Sequence, residues 1–582
     1  MRHMTGRFFG IIRDMEKVPT DKRAKFPALP IGNSDWVHVV TNDWHADKTQ
    51  LISGLLDRDA TVAVFTRPRR FGKTFAMRML KTFFEKTEKS NAHLFKGTKI
   101  WQKPEHRAEQ GKYPVIFITF KDAKGGDWNL VRACIRRAVA NEFLRHEDAF
   151  SSNKCGQEWK DVSTAMRMRT ADDETMMASL GVLAAALHAY YGERPVILID
   201  EYDSPINYAA THGFGEEVLQ FFRNFLSGAM KDGEHCRLGV ITGILRVAKE
   251  GVLSGLNNPE VWSVFDSEYS DCFGFTEDEV KDLLFACGHP EKIDEAKDWY
   301  DGYRFGPSEI YNPWSVLNYA RRNFEPKAYW LDTSSNDLVS DVLSRLSPEM
   351  RDTVANLFEK KMGSATVSPD LGPYGLIQDN EEILWSLLVH TGYLKITEGP
   401  DSKGTATIAF PNRELQRVFR DDILARMKRQ PSGQFVGRLT RALSSGEAER
   451  FRKSLEDFLV ASASYFDTAK EDFFHGLLLG IFATMNEDYE IKSNREEGDG
   501  RPDILMKPRP GVTLPGVVLE LKSPKVPARA TQKRTGELLA SAAKKARKQI
   551  DEKRYADEME AEGITVLKYG IGFGGKRVAL AK

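Results

Sequence analysis

At 582 residues the chain is too long for one core, and at roughly 150 residues per domain it divides into about three or four. Its 83 lysines and arginines equal its 83 aspartates and glutamates, which excludes a global basic field, so any nucleic-acid-binding surface must be local. Five cysteines without a Cys-x-x-Cys pair argue against a zinc knuckle or a disulfide framework and fit a reducing, cytoplasmic setting.

Residues 1–30 are polar and mixed and read as an arm laid on the first domain. Their apolar run Phe8–Ile12 is short and followed by Arg13, Asp14, Glu16 and Lys17, so it fails as a secretory signal. Nowhere do about 18 apolar residues run together, and no membrane span is expected. Asp47 and Lys48, ahead of a short amphipathic helix, either touch nucleotide or form a helix cap and a solvated face.

The organising stretch is Thr61–Leu80. An apolar strand (Val62–Phe65) breaks at Thr66-Arg67-Pro68, and a helical pattern starts at Gly72-Lys73-Thr74. A strand, a loop and a helix N-terminus in this order bind phosphate, because free backbone N–H groups and the positive end of the helix dipole face the anion. Arg70, Gly72, Lys73 and Thr74 are the candidate nucleotide-binding residues, with the Thr74 hydroxyl also a Mg²⁺ ligand. The pattern G-x-x-x-x-G-K-[ST] has Arg67 where its first glycine belongs.

Further strands are expected at Tyr113–Phe120, Val196–Asp200 and Arg237–Thr242, with helices at Asn129–Phe143, Met177–Tyr191 and Val218–Met230. Strands alternating with helices predict a parallel sheet, whose ligands gather at the carboxyl ends of the strands. There, Val196–Ile199 ends in Asp200, a Mg²⁺ ligand, and Glu201, which activates water. Thr242 either orients that water or caps a helix, and Arg246 either senses or stabilises phosphate charge or is a surface arginine.

From Thr276 to residue 460 the pattern is mainly helical, with a two-stranded element at Tyr393–Thr397 and Thr405–Phe410. The aromatics and glycines of Trp299–Gly306 read as a tight structural junction. A last unit over 461–582 opens with an apolar helix at Phe473–Met485, and strands follow at Asp488–Ser493, Asp503–Met506, Gly516–Lys522 and Ile564–Phe573. The period of two sets Glu520 and Lys522 on one face of their strand and Val517, Leu519 and Leu521 on the other. Asp503 and Glu520 can share a Mg²⁺ that polarises a phosphodiester, and Lys522 orients or activates water. Glu471 is a third metal-ligand candidate, with His475 one turn on, and the cation-rich stretch from Lys525 to Arg554 supplies charge to neutralise phosphates.

A collinear series of motifs carries a resemblance. It runs through RPRRFGKT (67–74), LIDEYDSPI (198–206), TGILRVAKEG (242–251), WYDGYRFG (299–306), YNPWSVLNY (311–319), HTGYLKI (390–396), FPNREL (410–415), EDFFH (471–475), GRPDI (500–504) and LELK (519–522). Together they resemble the bacterial AAA-ATPase-like family whose members end in a PD-(D/E)XK nuclease domain. The resemblance implies a P-loop NTPase domain over 31–275, a helical middle region over 276–460 and a restriction-endonuclease-like α/β domain over 461–582, an α/β fold class throughout. It implies ATP and Mg²⁺ as cofactors, catalytic roles for Glu201, Asp503, Glu520 and Lys522, and a supporting place for Gln549. Nucleic acid, DNA ahead of RNA, is the expected partner, and a homo-oligomer is a further expectation. Defence against foreign DNA follows by analogy alone. The competing expectation is a nucleotide-dependent switch or scaffold whose C-terminal domain grips nucleic acid or protein without cutting.

Overall fold

The computed structural model describes residues 27–58, 61–231, 233–245, 252–257, 259–330, 348–359, 361–369, 380–419, 433–461, 471–482, 485, 488–492, 502–524, 526–527, 531–574 and 577–582. Its first layer is a parallel sheet of β1 (Val62–Thr66), β2 (Val115–Thr119), β3 (Val196–Asp200), β4 (Leu238–Gly243) and β5 (Glu260–Trp262), in the order β2-β3-β4-β1-β5. Every residue of β1, β3 and β4 is buried, which is why these strands read as unbroken apolar runs rather than alternations. Helices Trp128–Arg145, Asp173–Tyr191 and Gly215–Met230 pack on one face and Lys73–Phe84 on the other, giving two separate cores. The order of strands has one consequence for function. β4 lies between β1 and β3, so the carboxyl ends of all three lie side by side.

Among the described residues, the middle of the chain carries more strands than the two-stranded element expected of it. Trp299–Gly306 enters a hairpin of β6 (Tyr303–Phe305) and β7 (Ser308–Ile310). Beyond it β8 (Gly363–Thr366), β9 (Lys395–Glu398) and β10 (Thr405–Ala409) form an antiparallel sheet in the order β8-β10-β9. The two-stranded element expected at 393–397 and 405–410 is its β9–β10 pair. β8 escaped because Gly363-Ser364-Ala365-Thr366 has no apolar alternation to announce a strand.

Within this region Glu414 is fully buried, and its Oε1 accepts the backbone N–H of Trp330 at 2.9 Å. Burial pushes its carboxyl up from 4.5 to about 7. The folded chain therefore keeps a proton that the unfolded chain releases above 4.5. Stability is full below that value and declines as pH rises to about 7, by on the order of 3 kcal/mol. Thermal melts at pH 5.5 and 8 should show Glu414→Gln losing this part of the pH dependence and melting higher than wild type at pH 8. A Glu414→Gln chain with the wild-type pH profile would remove Glu414 as its source.

The last unit is a mixed sheet of β11 (Tyr489–Lys492), β12 (Ile504–Pro508), β13 (Gly516–Lys522), β14 (Val566–Gly574) and β15 (Arg577–Ala581) in sequential order. β13 pairs antiparallel with β12 and parallel with β14. The helix Glu471–Phe482 covers the face that holds Val517, Leu519 and Leu521, and Gln532–Glu552 covers the other. The second helix sits unusually close to β14. A Cβ on Gly570 would strike the carbonyl of Ala543, and one on Gly572 that of Leu539, so the alternate glycines of Tyr569–Gly574 let helix and strand touch backbone to backbone. No helix among the described residues is long and apolar enough to cross a membrane.

Candidate functional site

At the carboxyl edge of the parallel sheet, Asp200 is fully buried and accepts hydrogen bonds from two hydroxyls. Thr74 Oγ1 reaches Oδ2 at 2.8 Å and Thr242 Oγ1 reaches Oδ1 at 2.6 Å. The loop after β1, the end of β3 and the end of β4 therefore meet on one carboxylate. Lys73 is buried beside them, its ammonium donating to the carbonyls of Arg67 and Pro68 at 2.9 and 2.8 Å. Burial pulls its pKa down, while Glu201, Asp203 and Asp200 favour the charged form. Glu201 is raised by burial, against the pull of Lys73.

Two non-glycine residues at this site take left-handed backbone, Arg70 with φ 69° and Glu201 with φ 53°. Each costs about 1 kcal/mol or more and persists only where neighbours hold it. Gly72, at φ 84°, adopts the same region freely and has open space where a Cβ would stand. Arg246 lies outside the described residues.

Two residues that the sequence did not single out help to build this edge. Asp203 is buried, and its Oδ2 accepts the backbone N–H groups of Ile244 and Leu245 at 2.8 and 2.9 Å, fixing the turn that carries Thr242. Thr119, at the end of β2, stands 3.5 Å from Asp200 Oδ2. The available signals were a second aspartate three residues after the first and a hydroxyl ending the neighbouring strand. By contrast, Asp47 and Lys48 meet other residues of the chain, and Lys48 is buried where the solvated-face alternative would have it exposed. Asp47 accepts from Thr49 and from the N–H of Lys99, and Lys48 forms a buried ion pair with Glu279 at 2.6 Å.

The second cluster lies on β12 and β13. Ile504 pairs with Leu519, which sets Asp503 opposite Glu520 one residue further along. The two strands clasp each other there. Leu521 N–H donates to Asp503 Oδ2 at 2.7 Å, and Asp503 N–H donates to Glu520 Oε2 at 3.4 Å. Glu520 is 3% exposed, and burial followed by the charge of Asp503 pushes its carboxyl up to about 7. Its Oε1 receives the Lys522 ammonium at 3.3 Å and the amide of Gln549, brought in by the close helix. His475 hydrogen-bonds the Asp503 carbonyl through Nε2 at 2.7 Å, so the helix Glu471–Phe482 starts beside this cluster.

The side chain of Glu471 and the residues Gly498–Arg501 lie outside the described residues. Among those described, no three His, Cys, Asp or Glu side chains gather as a metal-binding group. Asp503 and Glu520 nevertheless suit a divalent cation, since two facing carboxylates, one of them buried and raised by the other's charge, are what a cation relieves. Along the nearby helix, Arg534, Arg547 and Lys548 pair with Glu537, Asp551 and Glu552, whereas Lys544 and Lys545 are exposed.

Residues 30–253 match the family described as Predicted AAA-ATPase, and residues 469–582 match the PD-(D/E)XK nuclease superfamily. An uncharacterized protein in the vnfD 5' region of Azotobacter chroococcum is 27% identical over 411 residues, 69% of this chain and 71% of that protein. Among solved structures, a Walker-type ATPase of Pyrococcus abyssi aligns with TM-score 0.33 and 14% identity over 64% of this chain and 95% of its own. The ORC2 protein of Aeropyrum pernix aligns with TM-score 0.24 and 12% identity over 71% and 97%.

Proposed function

Because the chain joins an AAA-ATPase-like segment to a PD-(D/E)XK nuclease superfamily segment, we propose that it binds and hydrolyses ATP and cuts phosphodiester bonds in nucleic acid, DNA ahead of RNA. The convergence of Asp503, Glu520 and Lys522 carries this proposal. A buried Glu520 flanked by another carboxylate is costly to a fold that has no use for it.

At the nuclease site Asp503 and Glu520 would hold Mg²⁺, with Glu471 as a third ligand. The cation, when bound, polarises the phosphodiester and lowers the pKa of a water. Gln549 fixes the orientation of Glu520 through Oε1. Lys522, beside the same oxygen, orients the attacking water and offsets charge that builds on the phosphate. The exposed Lys544 and Lys545 attract the nucleic-acid backbone.

At the other site Thr74 and Asp200, already bonded to each other, would hold the Mg²⁺ of ATP. Lys73 would exchange its loop carbonyls for phosphate oxygens, and Arg70, Gly72 and Arg246 would complete the phosphate shell. Glu201 would take the proton of the attacking water, with Thr242 orienting that water. The non-glycine loop favours slow turnover, and this supports a second reading in which ATP acts as a switch and the C-terminal domain grips without cutting. One experiment separates the two. Purified chain is titrated with labelled DNA and RNA, with and without Mg²⁺ and ATP. Mg²⁺-dependent cleavage is the expected result, whereas binding without cleavage under every condition leaves the switch.

A further inference from the structure

The residues that replace the expected glycine-rich loop are seated in the middle of the chain. Arg67 is fully buried. Its guanidinium donates to the carbonyls of Thr66, Trp262 and Tyr269 and lies 5.3 and 5.2 Å from the rings of Phe273 and Phe305. Desolvation lowers its pKa to about 10, so it stays a cation. Pro68 abuts Gly392, where a Cβ would come within 3.0 Å of the proline ring. Arg70 lies over the Trp314 ring at 4.3 Å. Phe71 inserts between Tyr303 and Phe305, at 4.8 and 5.1 Å between ring centroids, and its carbonyl accepts the N–H of Gly274 at 3.1 Å.

A loop rich in glycine reaches a phosphate-binding conformation at little steric cost. This loop must hold Arg70 at φ 69° with only Gly72 to help, and a non-glycine residue keeps such a conformation when its surroundings over-determine it. Those surroundings belong to the hairpin β6–β7, to Trp314 and to the turn at Gly392. Three motifs, WYDGYRFG, YNPWSVLNY and HTGYLKI, thus converge on the loop.

We propose that Tyr303, Phe305 and Gly392, which seat Phe71 and Pro68, are positioning residues for the phosphate loop, so that the middle segment holds the nucleotide-binding conformation that glycines would otherwise allow. This rests on the nucleotide reading above and adds that ATP affinity is set from outside the loop. By linkage, ATP must then tighten the contact between loop and middle segment by the same factor.

The test uses the full chain and ATP affinity by calorimetry. Tyr303→Ala removes the ring against Phe71, and Gly392→Val drives a side chain into Pro68 at a backbone angle suited to glycine. Both should weaken ATP binding by about tenfold or more, the equivalent of ~1.4 kcal/mol. Tyr303→Phe keeps the ring and should bind as wild type does. Leu357→Ala, in the same core cluster but on the helix Pro348–Glu359 against β8, controls for lost stability. It should lower the melting temperature and leave ATP affinity unchanged. Hydrogen exchange across Trp299–Tyr311 should slow when ATP is added to wild type. The inference is overturned if wild type binds ATP and both Tyr303→Ala and Gly392→Val bind it equally well, or if Leu357→Ala loses as much affinity as they do. A wild-type chain that binds no ATP overturns the nucleotide reading, and this inference with it.

Discussion

Asp503→Ala, Glu520→Ala and Lys522→Ala are each expected to reduce Mg²⁺-dependent cleavage by roughly a hundredfold or more, and to leave ATP affinity at the wild-type value. Metal-assisted polarisation of a phosphoryl group stabilises the transition state by several kcal/mol, and each 1.36 kcal/mol is about tenfold in rate. Asp503 and Glu520 face each other across paired strands, and Lys522 reaches the same Glu520 oxygen that Gln549 holds. The single variants should not behave alike in every respect. Asp503→Ala also removes the acceptor of Leu521 N–H, so it should lower the melting temperature by more than Lys522→Ala, whose side chain is partly exposed. Glu520→Gln offers a gentler probe, because an amide oxygen in the place of Oε1 keeps the bonds from both Lys522 and Gln549 while the charge is removed. It should abolish cleavage and leave the melting temperature at or above that of wild type, since it relieves a buried carboxylate. Wild-type cleavage in all three alanine variants, in Mg²⁺ without chelator, would falsify the assignment.

The second large effect belongs to the other site. Lys73→Ala should weaken ATP binding by roughly 10- to 150-fold, the range expected when a hydrogen bond to a charged group worth about 1.5–3 kcal/mol is lost. Glu201→Gln should bind ATP normally and fail to hydrolyse it. The two differ because Lys73 meets phosphate charge already present in the ground state, whereas Glu201 acts on water only as the reaction proceeds. Lys73 is also buried, and its charge is favoured by Glu201, Asp203 and Asp200. Removing it takes a cation away from those carboxylates, and some loss of stability should accompany the loss of affinity. Equal ATP affinity for Lys73→Ala and wild type, measured by calorimetry on a chain that still melts cooperatively, counts against a phosphate-binding Lys73. Hydrolysis by Glu201→Gln at the wild-type rate removes Glu201 from the chemistry.

Much of this was legible from residues alone wherever the signal is local. A buried parallel strand announces itself as an apolar run, so Val62–Phe65 and Val196–Ile199 were readable, as was the helix start at Lys73. Alternation set Glu520 and Lys522 on one side of β13 because successive side chains on a strand point to opposite faces whatever the rest of the chain does. The spacing of an acid pair at a strand end and a lysine at a helix start likewise needs no long-range information.

What the tertiary structure alone decided are the meetings between distant residues. The order of strands laid β4 beside both β1 and β3, and only that order brings Thr242 and Thr74 onto the two oxygens of Asp200. Alternate glycines in β14 draw a helix close enough for Gln549 to reach Glu520. Arg67 is the clearest case. In the sequence it is a misplaced cation in a phosphate loop, and in the fold it is a buried strut between β5 and two phenylalanine rings. Periodicity is dictated by covalent geometry and can be read from neighbours, but the partner of a buried polar group is selected by packing across hundreds of residues, and no local pattern carries that choice.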